Sequence, residues 1–190
     1  MINRSSQLKE IESPAASEHA LVEGCRRGDR SAADRLYHLY VRKMRGLVFR
    51  YARTTFDIED ILQEGFIRVF DNISAYSGSG SFEGWVRRIM INSAINYYKK
   101  NLRLDAEVNF DAVGEPELDA VEIADNLSVE ELYRLIGRLP EGYRIVLNLY
   151  AIDGYTHKEI AEMLNIEENS ASSRYSRAKK YLSQLIKETV

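Results

Sequence analysis

Tyr155-Thr-His-Lys-Glu-Ile-Ala-Glu-Met-Leu-Asn-Ile-Glu-Glu-Asn-Ser-Ala-Ser-Ser-Arg-Tyr-Ser-Arg-Ala-Lys-Lys-Tyr-Leu182 is the stretch that decides the fold. Thr156 followed three residues later by Glu159 has the spacing of a capping box, in which hydroxyl and carboxylate each accept an otherwise orphaned backbone N–H; this predicts a helix start. Ile160, Ala161 and Leu164 fall on one face of that helix. Ala161 is small enough for a crossing helix to approach closely, and Leu164-Asn165-Ile166 reads as a tight turn with Ile166 plugging the angle. A second helix from about Glu168 spaces Ala171, Tyr175, Ala178, Leu182 and Leu185 by 4, 3, 4 and 3. Its other face displays Ser170, Ser172, Ser173, Arg174, Ser176, Arg177, Lys179 and Lys180. Small hydroxyls near the start permit close approach to base edges, and the cations beyond them suit phosphates. The pattern favours a helix-turn-helix over a hairpin with a solvated basic face.

Upstream, Ser128 and Glu131 form another capping box, followed by the apolar stripe Leu132, Leu135, Ile136 and Leu139. Pro140 ends that run, and Tyr143 to Ala151 supplies a further helix with Ile145, Val146, Leu149 and Tyr150. Gly154-Tyr155 is the turn out. Residues 128–190 therefore read as a four-helix domain.

Residues 17–104 form a second helical unit. Ala32, Ala33, Leu36, Tyr37, Tyr40, Val41, Met44, Leu47, Val48 and Tyr51 make one long stripe. A helix starting at Asp57 places Ile58, Ile61, Leu62, Gly65, Phe66, Val69 and Phe70 on one face, at increments of 3, 1, 3, 1, 3 and 1. Its opposite face carries Glu59, Asp60, Gln63, Glu64, Ile67, Arg68 and Asp71. Ser77-Gly-Ser-Gly-Ser81 is a flexible break, and Phe82 to Lys100 is another helix. Residues 1–16 read as a frayed terminus and 105–127, with Gly114 and Pro116, as a linker. The expected architecture is all-α: two small helical domains joined by an acidic linker.

Charge follows these divisions. The 190 residues have a net charge of −3, but residues 1–104 hold 17 Lys and Arg against 12 Asp and Glu, and residues 133–190 hold 9 against 7. Residues 105–132 hold none against 10. Two mildly basic blocks thus flank a strongly acidic one, and screening lets a polyanion meet each block separately. The single Cys25 excludes an internal disulfide and fits a reducing compartment. Residues 1–20 have no apolar run resembling a signal peptide and no stretch is long enough to cross a membrane, so a cytoplasmic location without membrane insertion is expected.

With these residues in view, the chain resembles the extracytoplasmic-function group of bacterial sigma-70-type sigma factors. Asp57-x-Glu59-Asp60-Ile61-x-Gln63-Glu64-x-Phe66-x-x-Val69-Phe70 and Phe82-x-x-Trp85-Val86-x-x-Ile89-x-x-Asn92 look like region 2 of that family. Leu139-Pro140-x-x-Tyr143-Arg144, Asp153-Gly154-Tyr155-Thr156-x-x-Glu159-Ile160-Ala161 and Ser173-Arg174-x-x-Arg177-Ala178-Lys179 look like region 4.

The resemblance implies a protein that binds core RNA polymerase, on the clamp helices of its largest subunit and on its flap, and directs it to promoters. Asp60, Gln63, Glu64 and Ile67 are the expected core-binding residues: carboxylates one turn apart receive a partner's cations beside an apolar anchor. Trp85, Arg88, Asn92, Asn96 and Lys99 are the expected contacts to the melted −10 element, with the Ser77–Ser81 loop placed to receive a flipped base. Trp85, beside Val86 and Ile89, fits either the core or a stacking contact.

Ser170, Ser172, Ser173, Arg174, Ser176, Arg177 and Lys180 are the expected contacts to the duplex −35 element. Here Asn169-Ser170-Ala171-Ser172 replaces the commoner Gly-Thr-Val-Lys or Arg, so a base-facing cation gives way to Ser172 and the promoter sequence stays open. The resemblance also implies an anti-sigma partner and an acidic linker that threads the channel later filled by RNA. Asp105, Glu107, Asp111, Glu115, Glu117 and Asp119 lie in that linker.

The competing reading is a helix-turn-helix regulator whose residues 20–104 sense or dimerise; it leaves the outward Asp60, Gln63 and Glu64 unexplained. An enzyme is not expected. His19, His38 and His157 are scattered with no metal-ligand spacing, no phosphate or dinucleotide fingerprint is present, and no cofactor is expected. His157, in a capped first turn, reads as solvated.

Overall fold

The computed structural model describes residues 14–102 and 128–189. Its first domain contains helices α1 (Pro14–Arg26), α2 (Arg30–Phe49), α3 (Thr55–Asp71) and α4 (Phe82–Leu102), with a short 3-10 turn at Ile73–Ala75. The second contains α5 (Val129–Gly137), α6 (Glu141–Leu147), a π-helical turn at Asn148–Ile152, α7 (His157–Leu164) and α8 (Glu168–Lys187). Among the described residues there is no strand, and no helix is long and apolar enough to cross a membrane. The linker at 105–127 lies outside the described residues, as does the frayed terminus apart from its last positions.

Several boundaries differ from the sequence reading for identifiable reasons. Helix α1 begins at Pro14 rather than Ser17, consistent with proline's fixed φ and dispensable N–H at a first helical position. Helix α3 begins at Thr55 rather than Asp57, because Thr54 caps it. The Thr54 hydroxyl accepts from Asp57 N, and Asp57 Oδ2 accepts from the N–H of Thr54 and of Arg53. Threonine and aspartate three apart perform the same reciprocal capping as the serine–glutamate form. The boxes at Ser128/Glu131 and Thr156/Glu159 form as their spacing predicts.

The apolar face of α3 is the centre of the first core. Ile58, Ile61, Leu62, Phe66 and Val69 are buried and meet Leu36, Met44, Val48, Val86 and Met90. Gly65 permits the α3–α4 approach, since a Cβ there would overlap the Met90 sulfur. Burial of each large side chain in such a face contributes about 1.5–3 kcal/mol.

In the second domain Ile145, Val146, Leu149, Ile160, Leu164 and Ala171 are buried and continuous with that first core, while Ile136, Leu139, Tyr143, Leu147 and Ala178 form a smaller cluster. The two domains therefore dock on one another. Leu132 lies partly outside the expected α5 stripe, at 36% exposure. The expected α6 run stops at Leu147 and widens into the π turn, in which Asp153 N–H bonds to the Asn148 carbonyl at 2.9 Å. Asn165 closes α7 in the left-handed conformation, φ 56°, one of the few non-glycine residues that tolerates it.

Candidate protein and nucleic-acid interfaces

The polar face of α3 forms one wall of a groove of about 390 Å³, lined by Asp60, Gln63, Glu64 and Ile67 and, from α4, by Asn96, Tyr97 and Lys100. All four residues expected to bind a protein partner are thus brought together. Their backs are fixed, because Ile61, Leu62 and Phe66 on the adjoining face are buried. Ile67 is 54% exposed, an apolar side chain displayed among acids. Glu64 is tied to Arg68 at 2.5 Å and Glu59 to Arg45 at 2.5 Å. Asp60 makes no ion pair with a described residue, which leaves it the most available carboxylate of the set.

The sequence reading missed Phe56. It is 70% exposed and lies four, seven and eleven residues before Asp60, Gln63 and Ile67, so the acidic stripe has an apolar residue at each end. The i, i+4 pattern was the available signal; setting the helix start at Asp57 hid it.

On α4 the expected contacts part company. Asn92 and Asn96 are exposed and Lys99 is half-buried, but Asn96 also lines the α3 groove. Arg88 is exposed, near enough to Tyr155 of the second domain for its charge to act on that hydroxyl. Trp85 is half-buried: its ring packs 5.5 Å from Phe82 and 5.6 Å from Tyr76. It is therefore a rim residue of the core, and the two readings of it meet in one position. The Tyr76 hydroxyl donates to the Gly80 carbonyl at 2.8 Å and closes the Ser77–Ser81 loop beside that aromatic cluster. Gly78 and Gly80 adopt φ of +78° and +80°, which glycine accommodates without cost from a Cβ.

On α8, Ser173 and Ser176 are exposed, while Ser170, Ser172, Arg174, Arg177 and Lys180 are half-buried. Ala171 and Ala178 are fully buried behind them. His157 is not a solvated histidine. Its ring stacks on Tyr150 at 4.3 Å with an interplanar angle of 8°, and Tyr175 packs on Tyr150 at 4.4 Å. This three-ring stack ties the start of α7 to the middle of α8. It fixes the crossing angle of the helix-turn-helix from the outside, as Ala161 and Ile166 do from within. Lys179 lies over the Tyr175 ring at 5.0 Å.

The two halves match known families separately. Residues 36–104 match Sigma-70 region 2, and residues 129–182 match Sigma-70, region 4. An "ECF RNA polymerase sigma-E factor" of Haemophilus influenzae is 31% identical over 183 residues, covering 90% of this chain and 95% of that protein. A protein with the same description from Escherichia coli strain K12 is 27% identical over 185 residues, covering 92% and 96%. Among solved structures, CnrH in complex with the cytosolic domain of CnrY aligns at TM-score 0.50 and 19% identity over 92% of this chain and 99% of that one. The sigma factor RpoE in complex with the anti-sigma factor NepR from Bartonella quintana aligns at TM-score 0.50 and 18% identity, over 81% and 96%. These structural likenesses extend across both helical domains and speak to the fold.

Proposed function

Since the chain belongs to the extracytoplasmic-function sigma factors of the sigma-70 family, it directs core RNA polymerase to promoters, and we propose that its α3 groove holds the polymerase while α4 and α8 read the promoter. It is a non-enzymatic initiation factor; RNA synthesis belongs to the polymerase.

The observation that carries the division of labour is the α3 groove, where Asp60, Gln63, Glu64 and Ile67 face outward from a helix whose other face is buried. Carboxylates beside an exposed apolar side chain suit a basic helical partner with an apolar anchor point, and the polymerase clamp helices are that partner. Phe56 extends the contact by one turn.

Trp85, Arg88, Asn92, Asn96 and Lys99 follow the melted −10 strand, the Tyr76–Phe82–Trp85 rings offering a stacking edge beside the Ser77–Ser81 loop. The α8 residues Ser170, Ser172, Ser173, Arg174, Ser176, Arg177 and Lys180 enter the major groove of the −35 element, hydroxyls on bases and cations on phosphates. An anti-sigma factor, the class of partner seen with RpoE, is the proposed regulator of these surfaces.

Run-off transcription with purified core polymerase on a library of genomic fragments tests the reading and reports the promoter at once. The chain is expected to confer start-site selection. Replacing Asp60 and Gln63 together by alanine is expected to abolish core binding while leaving helix content unchanged; retained core affinity overturns the site assignment.

A further inference from the structure

A second and larger cavity, of about 660 Å³, lies between the end of α2 and helix α5. Its apolar wall is made by the rings of Phe49 and Tyr133 and by the small residues Gly46, Ala52 and Gly137. Four arginines, Arg50, Arg53, Arg134 and Arg144, share the lining with a single acid, Glu130. None of the residues assigned above to polymerase or promoter takes part in it.

Gly46 stands inside α2, where glycine weakens a helix relative to alanine. The other glycines buried in helices of this domain have a packing reason: a Cβ on Gly65 would overlap the Met90 sulfur, and one on Gly24 would overlap the Ala32 Cβ. A Cβ on Gly46 would meet no atom within 4 Å, nor would one on Gly137 across the cavity. The packing of the chain on itself therefore gives no reason for Gly46, and what its missing side chain leaves is open floor. Phe49, one turn further along α2, is 61% exposed, and Tyr133 is 38% exposed. A bare helix surface flanked by two accessible rings is shaped for an apolar guest.

The arginines set the charge of that guest. Arg50 is paired with Asp153 at 2.8 Å and Arg53 with Glu141. Arg144 donates to the Tyr51 carbonyl at 3.3 Å and lies 3.9 Å from Glu141. Arg134 is exposed and forms no ion pair with a described residue. With Glu130 included, four guanidiniums answer three carboxylates, which leaves one positive charge in excess. A polyphosphate brings more negative charge than these walls balance, and a cation meets net repulsion. We propose that the cavity is a binding site for a small amphipathic monoanion, an apolar or aromatic acid whose body lies on Gly46 against Phe49 and Tyr133 and whose carboxylate is received by Arg134. The volume falls inside the range of about 300–1,000 Å³ usual for small-molecule sites, which are likewise mostly apolar with a few orienting polar groups.

The test is a fluorescence titration of the full chain with anilinonaphthalene sulfonate, an aromatic monoanion that brightens in apolar surroundings, followed by displacement with naphthoate, dodecanoate or the uncharged naphthalenemethanol. Saturable binding of one probe per chain is expected, displaced by at least one of the acids and not by the alcohol at the same concentration. The better competitor reports whether the body is a flat ring or an aliphatic chain. Gly46→Leu fills the floor and is expected to weaken probe binding about tenfold or more. Because nothing lies within 4 Å of that position, its melting temperature is expected to equal or exceed the parent's. Arg134→Gln is expected to weaken the probe and the acids about fivefold, the effect of one partly exposed charge pair. Phe49→Ala removes one wall and supplies the steric comparison should Gly46→Leu fail to fold. Several probes bound per chain with an affinity that none of these variants moves, or displacement by the alcohol as effective as by the acids, overturns the proposal. So does light scattering that finds a dimer of the parent and a monomer of Gly46→Leu, since a second copy of the chain would then cover the cavity.

Discussion

Tyr97 donates its hydroxyl to Asp57 Oδ1 at 2.9 Å and so ties the later part of α4 to the first turn of α3, across one end of the groove proposed to hold polymerase. Asp57 Oδ2 meanwhile accepts from the N–H of Arg53 and of Thr54, each at 3.0 Å. Burial alone would push this carboxyl up. The Tyr97 and backbone hydrogen bonds outweigh it, and the group is held below its ordinary value.

A folded-state value that is lowered means stability that is fully present above the unfolded value of about 3.9 and lost as pH falls through the folded one. Tyr97→Phe removes one of the donors. It is expected to cost about 0.5 kcal/mol at pH 7, the low end for a hydrogen bond because the carboxylate is partly solvated. The gap between the two proteins is expected to close as pH drops below the folded value, which thermal unfolding followed by circular dichroism across the acid range would show. A gap independent of pH would mean that Asp57 is not the acceptor that matters.

Most of the fold is legible in the residue pattern because each helix announces itself twice, by an apolar stripe and by a cap. Thr156 with Glu159 and Ser128 with Glu131 fix starts, and the 3, 1, 3, 1 spacing from Ile58 to Phe70 identifies the buried face. The same spacing leaves Asp60, Gln63, Glu64 and Ile67 outside, which is why the groove residues could be named in advance. What periodicity does not encode is contact between domains. Asp153 reads as a turn residue before Gly154, and nothing local says that Arg50 and Arg87 will surround it. The π turn is equally silent in sequence, since Asn148 to Ile152 has an ordinary helical pattern. His157 was misjudged for a related reason: its neighbours Tyr150 and Tyr175 are seven and eighteen residues away on other elements.

Gly65→Ala tests the α3–α4 crossing. The added Cβ would meet the fully buried Met90 sulfur, and overpacking of this kind costs about 1–3 kcal/mol. A lowered melting temperature is expected, partly restored by Met90→Ala in the same chain. Losses from Gly65→Ala and Met90→Ala that simply add in the pair would show that the two positions do not meet there.

Ile67→Ala separates binding from folding. With the side chain 54% exposed, truncation is expected to leave the melting temperature almost unchanged. Loss of an apolar anchor at the centre of an interface commonly exceeds 1 kcal/mol, so core affinity is expected to fall about tenfold in a titration with labelled chain. Phe56→Ala is expected to weaken binding less, from the edge of the same stripe. A loss of stability without a loss of affinity would instead assign both residues to the fold.

Thr156→Ala removes the hydroxyl that accepts from Glu159 N and donates to the Glu159 carboxylate at 2.8 Å. Loss of such a cap costs about 1 kcal/mol. Glu159 is held below its ordinary value by hydrogen bonds from the Thr156 N–H and hydroxyl, so its share of the box is present near neutrality and disappears as pH falls through that lowered value. The substitution is expected to destabilise the second domain at pH 7 and to matter less in acid, read from hydrogen exchange of the α7 amides. Unchanged protection at pH 7 would show that tertiary packing of Ile160 and Leu164 holds the helix start without the cap.

Arg177→Ala distinguishes phosphate contact from base reading on α8. Arg177 lies one turn beyond Ser173 on a helix whose hydroxyls lead and whose cations follow. A phosphate contact contributes nearly equally to every sequence. Its removal is therefore expected to weaken holoenzyme binding to all promoters alike and to reduce the slope of log affinity against log salt by about 1. Ser172→Ala is expected to do the opposite, leaving the salt slope intact while changing the preferred base at one position of the −35 element. If Arg177→Ala alters preference and Ser172→Ala does not, the cation is the reader and the departure of Asn169–Ser172 from the commoner family pattern does not define this promoter.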